Sequence, residues 1–351
     1  MSRRWRVLIT LLVFSITPLV VLTPLILQER WFVTGIAAIV VILIVTVTAF
    51  WSSRRMTRPL QVMIGELQRL TEGDFSARMD VATGDERDML ARAFNEMVPQ
   101  LEDRMNICQA LQVAQEVQQN LLPKEIPSIP GFDIAATTVY CEQTGGDYFD
   151  FFPCGEDCKG VAVVVGDVTG HGVAAALLMT TARAFLRMRA VQPGTIAEVV
   201  TSVNQQLTVD TYESGSYMTL FYLAIDQADR VLRWVRAGHD PAIFYNSDTD
   251  QFEELVGSGM ALGVDKDWQY EANEKLGLVK GQVICLGTDG IWEAHDADGE
   301  MFGKQRFYEI IRANADKPAE IIKKAVLKAL SDFCGNIAQE DDVTIVVIKV
   351  L

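Results

Sequence analysis

The chain has 351 residues, enough for more than one domain, with 49% hydrophobic residues and a formal net charge of −15. The charge is uneven: seven of the 31 basic residues and one of the 46 acidic ones lie in the first 60 positions, which leaves the remainder at −21. So acidic a body argues against a nucleic-acid partner, because phosphate contacts need basic patches.

Two uncharged runs of 21 residues open the chain, Val7 to Leu27 and Trp31 to Trp51, with Gln28-Glu29-Arg30 between them. Each is long enough to cross a hydrocarbon core, which needs roughly 20 apolar residues. Residues 1–53 are therefore read as a transmembrane hairpin with spans of about 7–27 and 31–51. Arg3, Arg4 and Arg6 precede the first span, and Arg54, Arg55 and Arg58 follow the second. By the positive-inside rule, the N-terminus and everything after the second span face the cytoplasm from the cell (inner) membrane. Six cysteines are scattered through the chain. Cys154 and Cys158 bracket a tripeptide, but with only three histidines present the expectation is reduced thiols and no zinc site.

After Pro59 the apolar residues step at helical spacing through Leu60, Ile64 and Leu67, and Gly73-Asp74 stops the helix. An extended stretch, Phe75 to Val81, leads to Gly84-Asp85-Glu86, which opens a second helix with Leu90, Phe94, Met97 and Leu101. Two amphipathic helices joined by an extended connector just after a membrane span resemble a HAMP domain. The matching residues are Arg58-Pro59-Leu60, Gly73-Asp74-Phe75, Asp85-Glu86 and Phe94-Asn95-Glu96-Met97, and the domain is assigned to residues 54–101. The resemblance implies a parallel four-helix bundle in a homodimer that relays a change from the membrane helices. Pro99 lacks a backbone donor, so a kink or break is expected there. Residues 102–123 read as a linker helix with Ile107, Leu111, Ala114 and Leu121 on one stripe. Gln118 lies within that stripe, where a polar residue can fix register.

The domain over 124–351 mixes strands and helices. Val161 to Val165 is an apolar run ending at Gly166-Asp167, and Val173 to Arg189 reads as a helix. Tyr217 to Ile225 and Val231 to Val235 read as paired strands around the turn Asp226 to Arg230. Val283 to Leu286 leads into Gly287-Thr288-Asp289-Gly290, and Val343 to Val350 is the last strand. The fold class is α+β with packed sheets. Four acidic motifs mark strand ends: Gly145-Gly146-Asp147, Gly166-Asp167-Val168, Thr288-Asp289-Gly290 and Asp341-Asp342-Val343-Thr344. Strand ends bring sequence-distant carboxylates to one rim. Clustered carboxylates repel unless a cation neutralises them, and oxygen-only ligands suit Mg²⁺ or Mn²⁺. The expected chemistry is metal-dependent hydrolysis.

Together with Leu121-Leu122-Pro123, Tyr148-Phe149-Asp150, Thr169-Gly170-His171-Gly172 and Ala237-Gly238-His239, these motifs make residues 131–351 resemble the bacterial SpoIIE/RsbU-type metal-dependent serine/threonine phosphatases of the PPM superfamily. The resemblance implies an antiparallel β-sandwich flanked by helices (α-β-β-α). It implies two divalent ions, Mn²⁺ or Mg²⁺, on catalytic Asp147, Asp167, Asp289 and Asp341 with the Val168 carbonyl as a further ligand. Asp342 is assigned a supporting role through hydrogen bonds. Asp150 is a weaker ligand candidate. His171 is read either as a proton donor to the leaving serine oxygen or as a packing residue of its Gly-rich turn and is left out of the catalytic set; His239 is read as a core or turn residue, and Glu293 as a surface or supporting acid. The implied substrate is a phosphoserine or phosphothreonine protein, for this branch usually an anti-sigma-factor antagonist. Two alternatives stand beside this reading. An inactive phosphatase fold that sequesters a partner is disfavoured by the four intact acidic motifs, and a nucleotide cyclase by the two later ones.

Overall fold

The computed structural model describes residues 31–153 and 160–351. The first apolar run, with its turn, and the Cys154/Cys158 pair lie outside the described residues. The chain divides into two compact units, meeting between Cys108 and Gln109.

In the first unit, helix α1 (Trp31–Thr71) holds the second apolar run and continues through Pro59. The helical pattern therefore does not begin after Pro59; one missing backbone donor does not outweigh the many bonds of a helix of 41 residues. Among the described residues, one helix, Gly35–Thr71 within α1, is long and apolar enough to cross a membrane. Helix α2 (Glu86–Leu121) likewise runs unbroken through Pro99, so the expected break is absent. The connector between the two packs inward: Ala77 and Met79 are buried with Met63 of α1 and with Ala91, Phe94 and Val98 of α2. Asn95 clamps it, since its Oδ1 accepts from the Met79 N–H at 2.8 Å and its Nδ2 donates to the Met79 carbonyl at 3.0 Å. Most of the predicted apolar stripe stays outside this small core. Leu60, Ile64, Leu67, Leu90, Met97 and Leu101 are all exposed.

The second unit is a four-layer sandwich. One sheet has strand order β1-β10-β9-β6-β7 and the other β2-β3-β4-β5-β8, with every pairing antiparallel. The strands are β1 (Phe132–Val139), β2 (Tyr148–Pro153), β3 (Gly160–Val168), β4 (Met218–Asp226), β5 (Val231–Ala237), β6 (Ala242–Asn246), β7 (Gln251–Leu255), β8 (Asn273–Leu276), β9 (Val283–Gly287) and β10 (Val343–Val350). Helices α3 (Gly172–Ala190) and α4 (Ile196–Thr211) cover one sheet; α5 (Gly303–Asn314) and α6 (Ala319–Cys334) cover the other.

Period-two alternation sorts the side chains between layers. On β3, Val161, Val163 and Val165 point between the sheets with Phe221, Leu286 and Val346, while Ala162 and Val164 face Met179 and Leu186 of α3. On β10, Val346 and Ile348 point between the sheets, while Ile345 and Val347 pack under Ile311 and Ile322. Both faces of these strands are dry, which explains why β3 and β10 read as continuous apolar runs rather than alternating ones. The sequence-predicted spans match closely except at β3, which extends through Asp167 to Val168. The Asp167↔Thr219 and Val168↔Met218 pairings with β4 carry the ladder that far.

Asp150 sits in the helix-facing layer. It is fully buried; its Oδ2 accepts from Tyr148 Oη and Arg187 Nε, both at 2.7 Å, and its Oδ1 accepts from Arg187 Nη2 at 2.6 Å. Arg183 Nε stands 3.8 Å away, one turn earlier on α3. This carboxylate is neutralised by guanidinium groups and ties β2 to α3. Breaking a buried ion pair from one side leaves uncompensated charge. Asp150→Ala is expected to cost about 3 kcal/mol, or roughly 10 °C in the melting midpoint, measured by thermal denaturation.

Candidate active site

Antiparallel pairing places the start of one strand beside the end of its neighbour. Tyr148 at the start of β2 is paired with Gly166 near the end of β3, so Asp147 and Asp167 meet at one edge of their sheet. Ile345 near the start of β10 is paired with Gly287 at the end of β9, so Asp341 and Asp289 meet at the edge of the other. Each sheet thus supplies two acids to one rim of the sandwich. Asp167 and Asp289 also line a small cleft of about 140 Å³ with Thr219, Gly238, His239, Asp240 and Glu293.

The acids are electrostatically coupled. Asp147 is 1% exposed, and burial together with the Asp167 charge holds its carboxyl well above the usual range. Burial, then Asp289 and Asp341, pushes Asp167 up to about 8. Burial and Asp341 push Asp289 up to about 6, and Asp341 is raised mainly by burial. Among the described residues, no Lys or Arg forms an ion pair with any of the four, and none lines the cleft.

Threonines and Asp342 hold these acids in place. Thr288 Oγ1 donates to Asp147 Oδ2 at 2.8 Å and accepts from the Thr344 N–H at 3.0 Å. Thr344 Oγ1 lies 2.7 Å from Thr138 Oγ1 on the adjacent strand. Asp342 is 3% exposed; its carboxylate accepts the N–H of Cys141 at 2.9 Å and that of Asp147 at 3.5 Å. The glycines of the motifs make room for this packing. A Cβ on Gly145 would stand 1.8 Å from Asp342 Oδ2, one on Gly290 2.0 Å from the Asp342 carbonyl, and one on Gly146 2.7 Å from the Val168 carbonyl.

The remaining candidates sort by location. His171 precedes α3 and is exposed, its Nδ1 3.0 Å from Glu142. His239 is buried at the cleft, with Nδ1 2.8 Å from Thr219 Oγ1 and Nε2 without a hydrogen-bond partner among the described residues. Burial pushes its pKa down to about 4, which keeps it neutral. Its Ala-Gly-His context gave no role from sequence; only the fold carries it to the cleft. Gln118 was also underread. It is buried, its Nε2 donates to the Gly145 carbonyl at 2.7 Å and its Oε1 accepts the Gly145 N–H at 3.3 Å. It does not serve a helix seam; it pins the end of α2 to the Gly-Gly-Asp loop.

Among the described residues, no three acid or histidine side chains stand in ready ligating geometry. The donor set itself fits hard cations: four carboxylates and the Val168 carbonyl, crowded against Gly146, with no basic side chain among them.

A solved structure with this architecture is the SiaA-PP2C domain of Pseudomonas aeruginosa. It matches with a TM-score of 0.60 and 25% identity, over 70% of this chain and 98% of that one. The four-layer fold is therefore PP2C-like. Residues 157–351 match the family described as Stage II sporulation protein E (SpoIIE), and the chain belongs to that family; residues 51–103 match the HAMP domain. Phosphoserine phosphatase RsbU of Bacillus subtilis is 28% identical over 245 residues, 68% of this chain and 69% of that protein. Protein IcfG of Synechocystis sp. is 26% identical over 329 residues, 83% of this chain but 51% of its own length. The chain thus spans about half of that relative. An apolar helix followed by a HAMP domain points to membrane association.

The raised acids make metal-free stability depend on pH. A carboxyl held above its unfolded value keeps its proton in the native state while the unfolded chain releases it. The stability from this group is complete below about pH 4 and is lost as pH rises through about 8 for Asp167. In chelator, Asp167→Asn is expected to raise the melting midpoint by several degrees at pH 8, with the gain vanishing toward pH 4. A gain independent of pH would contradict the coupling.

Proposed function

We propose that the chain is a membrane-anchored protein serine/threonine phosphatase, with Asp147, Asp167, Asp289, Asp341 and the Val168 carbonyl as ligands to two Mn²⁺ or Mg²⁺ ions. The observation that carries it is the acid rim, drawn from both sheets and, among the described residues, with no Lys or Arg paired to it. A phosphate dianion cannot approach four carboxylates unless cations stand between them. When bound, such an ion pair activates a water and stabilises phosphoryl charge. The chain contributes position: Thr288 orients Asp147, Asp342 fixes the loop carrying it, and neutral His239 adds no charge to the cleft. The substrate follows from the relatives, since RsbU is by name a phosphoserine phosphatase. A phosphorylated anti-sigma-factor antagonist is the proposed protein partner.

The proposed layout is a two-span hairpin over residues 1–53, a HAMP domain at 54–101, a linker at 102–123 and the phosphatase domain at 124–351. Both chain ends would lie on the cytoplasmic side. The exposed stripe of Leu60, Ile64, Leu67, Leu90, Met97 and Leu101 supports homodimerisation through the HAMP helices, because such a stripe marks a partner surface. Regulation would reach the rim through Gln118, whose amide holds Gly145 two residues from Asp147.

The primary test is hydrolysis of a phosphoserine protein by the full chain with Mn²⁺. Asp167→Asn and Asp289→Asn are each expected to lower kcat at least a hundredfold, and chelator to abolish turnover. Undiminished rates in both variants would sink the site. Binding of the phosphoprotein without any turnover would favour the sequestering module instead. The relay has its own test. Ile64→Asp with Leu67→Asp should halve the mass seen by light scattering, whereas Gln118→Ala should keep the dimer and change the rate about tenfold. If the detached domain matched the full chain under every condition, regulation through the helices would fail.

A further inference from the structure

Beside the acid rim lies a larger groove of about 510 Å³. One wall is α6, contributing Leu327, Leu330 and Ser331. The other is the segment after it, where Ile337 is 41% exposed. That segment is fastened: Gln339 Nε2 donates to the Val139 carbonyl at 2.8 Å and to the Asp341 carbonyl at 2.7 Å. The groove is continuous with the proposed catalytic centre. Asp341 and Gly290 lie on its lining, and Glu293 lines both the groove and the cleft containing Asp167 and Asp289.

We propose that this groove is the docking site for the polypeptide flanking the phosphoserine, and that it selects an apolar side chain with a basic residue beside it. The proposal rests on the phosphatase reading and deepens it by naming the substrate class. The cleft's 140 Å³ admits a phosphoryl group but no flanking chain, so the flank must lie on an adjoining surface. The groove's volume falls in the range that accommodates several side chains. Its lining includes Val139, Leu327, Leu330, Ile337 and Val343, which suits an apolar anchor. Besides the metal-ligand candidate Asp341, its lining carries Glu293 and Glu340 and, among the described residues, no Lys or Arg; His295, 3.1 Å from Glu340, is the one basic-type residue described there. An acidic flank would be repelled there and an Arg or Lys attracted.

The test uses the full chain in detergent with Mn²⁺ and three probes. These are p-nitrophenyl phosphate and two phosphoserine peptides of equal length, one flanked by Leu and Arg, the other by Ala and Glu. The wild type is expected to favour the Leu/Arg peptide by about tenfold in kcat/KM. Ile337→Asp, and independently Ser331→Trp, which fills the groove from its helical wall, should each erase that preference through KM. Turnover of p-nitrophenyl phosphate should stay within about twofold of wild type. Equal kcat/KM for the two peptides in the wild type overturns the proposal. So does a preference that survives both variants, the outcome expected if the groove holds a small molecule, or a parallel loss on p-nitrophenyl phosphate. No turnover of any probe by the wild type would remove the phosphatase reading, and the groove with it. Turnover without discrimination removes the groove alone.

Discussion

Mutual repulsion among four carboxylates is the constraint around which the second unit is built. Antiparallel pairing in two sheets delivers the acids to one rim, and the packed layers beneath do not let them retreat. Asp147 is the extreme case, buried beside Asp167 with the Thr288 hydroxyl to steady it and, among the described residues, no Lys or Arg paired to it. Such a cluster weakens the fold that carries it. It persists because the sandwich core, filled from both sheets, is large enough to hold it in place.

The surroundings show how that cluster is kept orderly. The Asp342 carboxylate accepts the backbone N–H groups of Cys141 and Asp147 while its charge still acts on Asp147, Asp167 and Asp341, and its own N–H donates to Asp341 Oδ1, so adjacent aspartates do different work. Asp150 is diverted more completely, facing α3 and taken up by Arg187. Three neighbouring acid types therefore have separate settings: rim, loop and layer. Charge partners distinguish them, not sequence spacing.

Much of the second unit was legible in the sequence. β10 matches the predicted Val343–Val350 span, and α3 extends the predicted helix by one residue at each end, because apolar runs and glycine-bounded turns are local signals. The four motifs were readable as strand-end acids. What could not be read depended on contacts between distant segments. Gln118 looked like a polar break in a helical stripe, since its partner Gly145 lies 27 residues on. His239 gave no hint of facing the cleft, and nothing local showed that Thr288 would join Asp147 to the Thr344 backbone. Pro99 misled in the other direction: a local rule expected a kink or break, and the helix runs through it.

The crowding around Asp342 bears on what the intact motifs mean. Gly145 and Gly290 have no room for a side chain because Asp342 occupies it. The three form a single steric unit joining segments nearly 200 positions apart in the chain. A descendant that had abandoned catalysis would still be held to those glycines by packing. The rim acids enjoy no such protection; burial and like charge make each a burden to folding, and drift would remove them first. Asp147, Asp167, Asp289 and Asp341 are a burden to metal-free folding, whereas the glycines beside them serve the packing around Asp342.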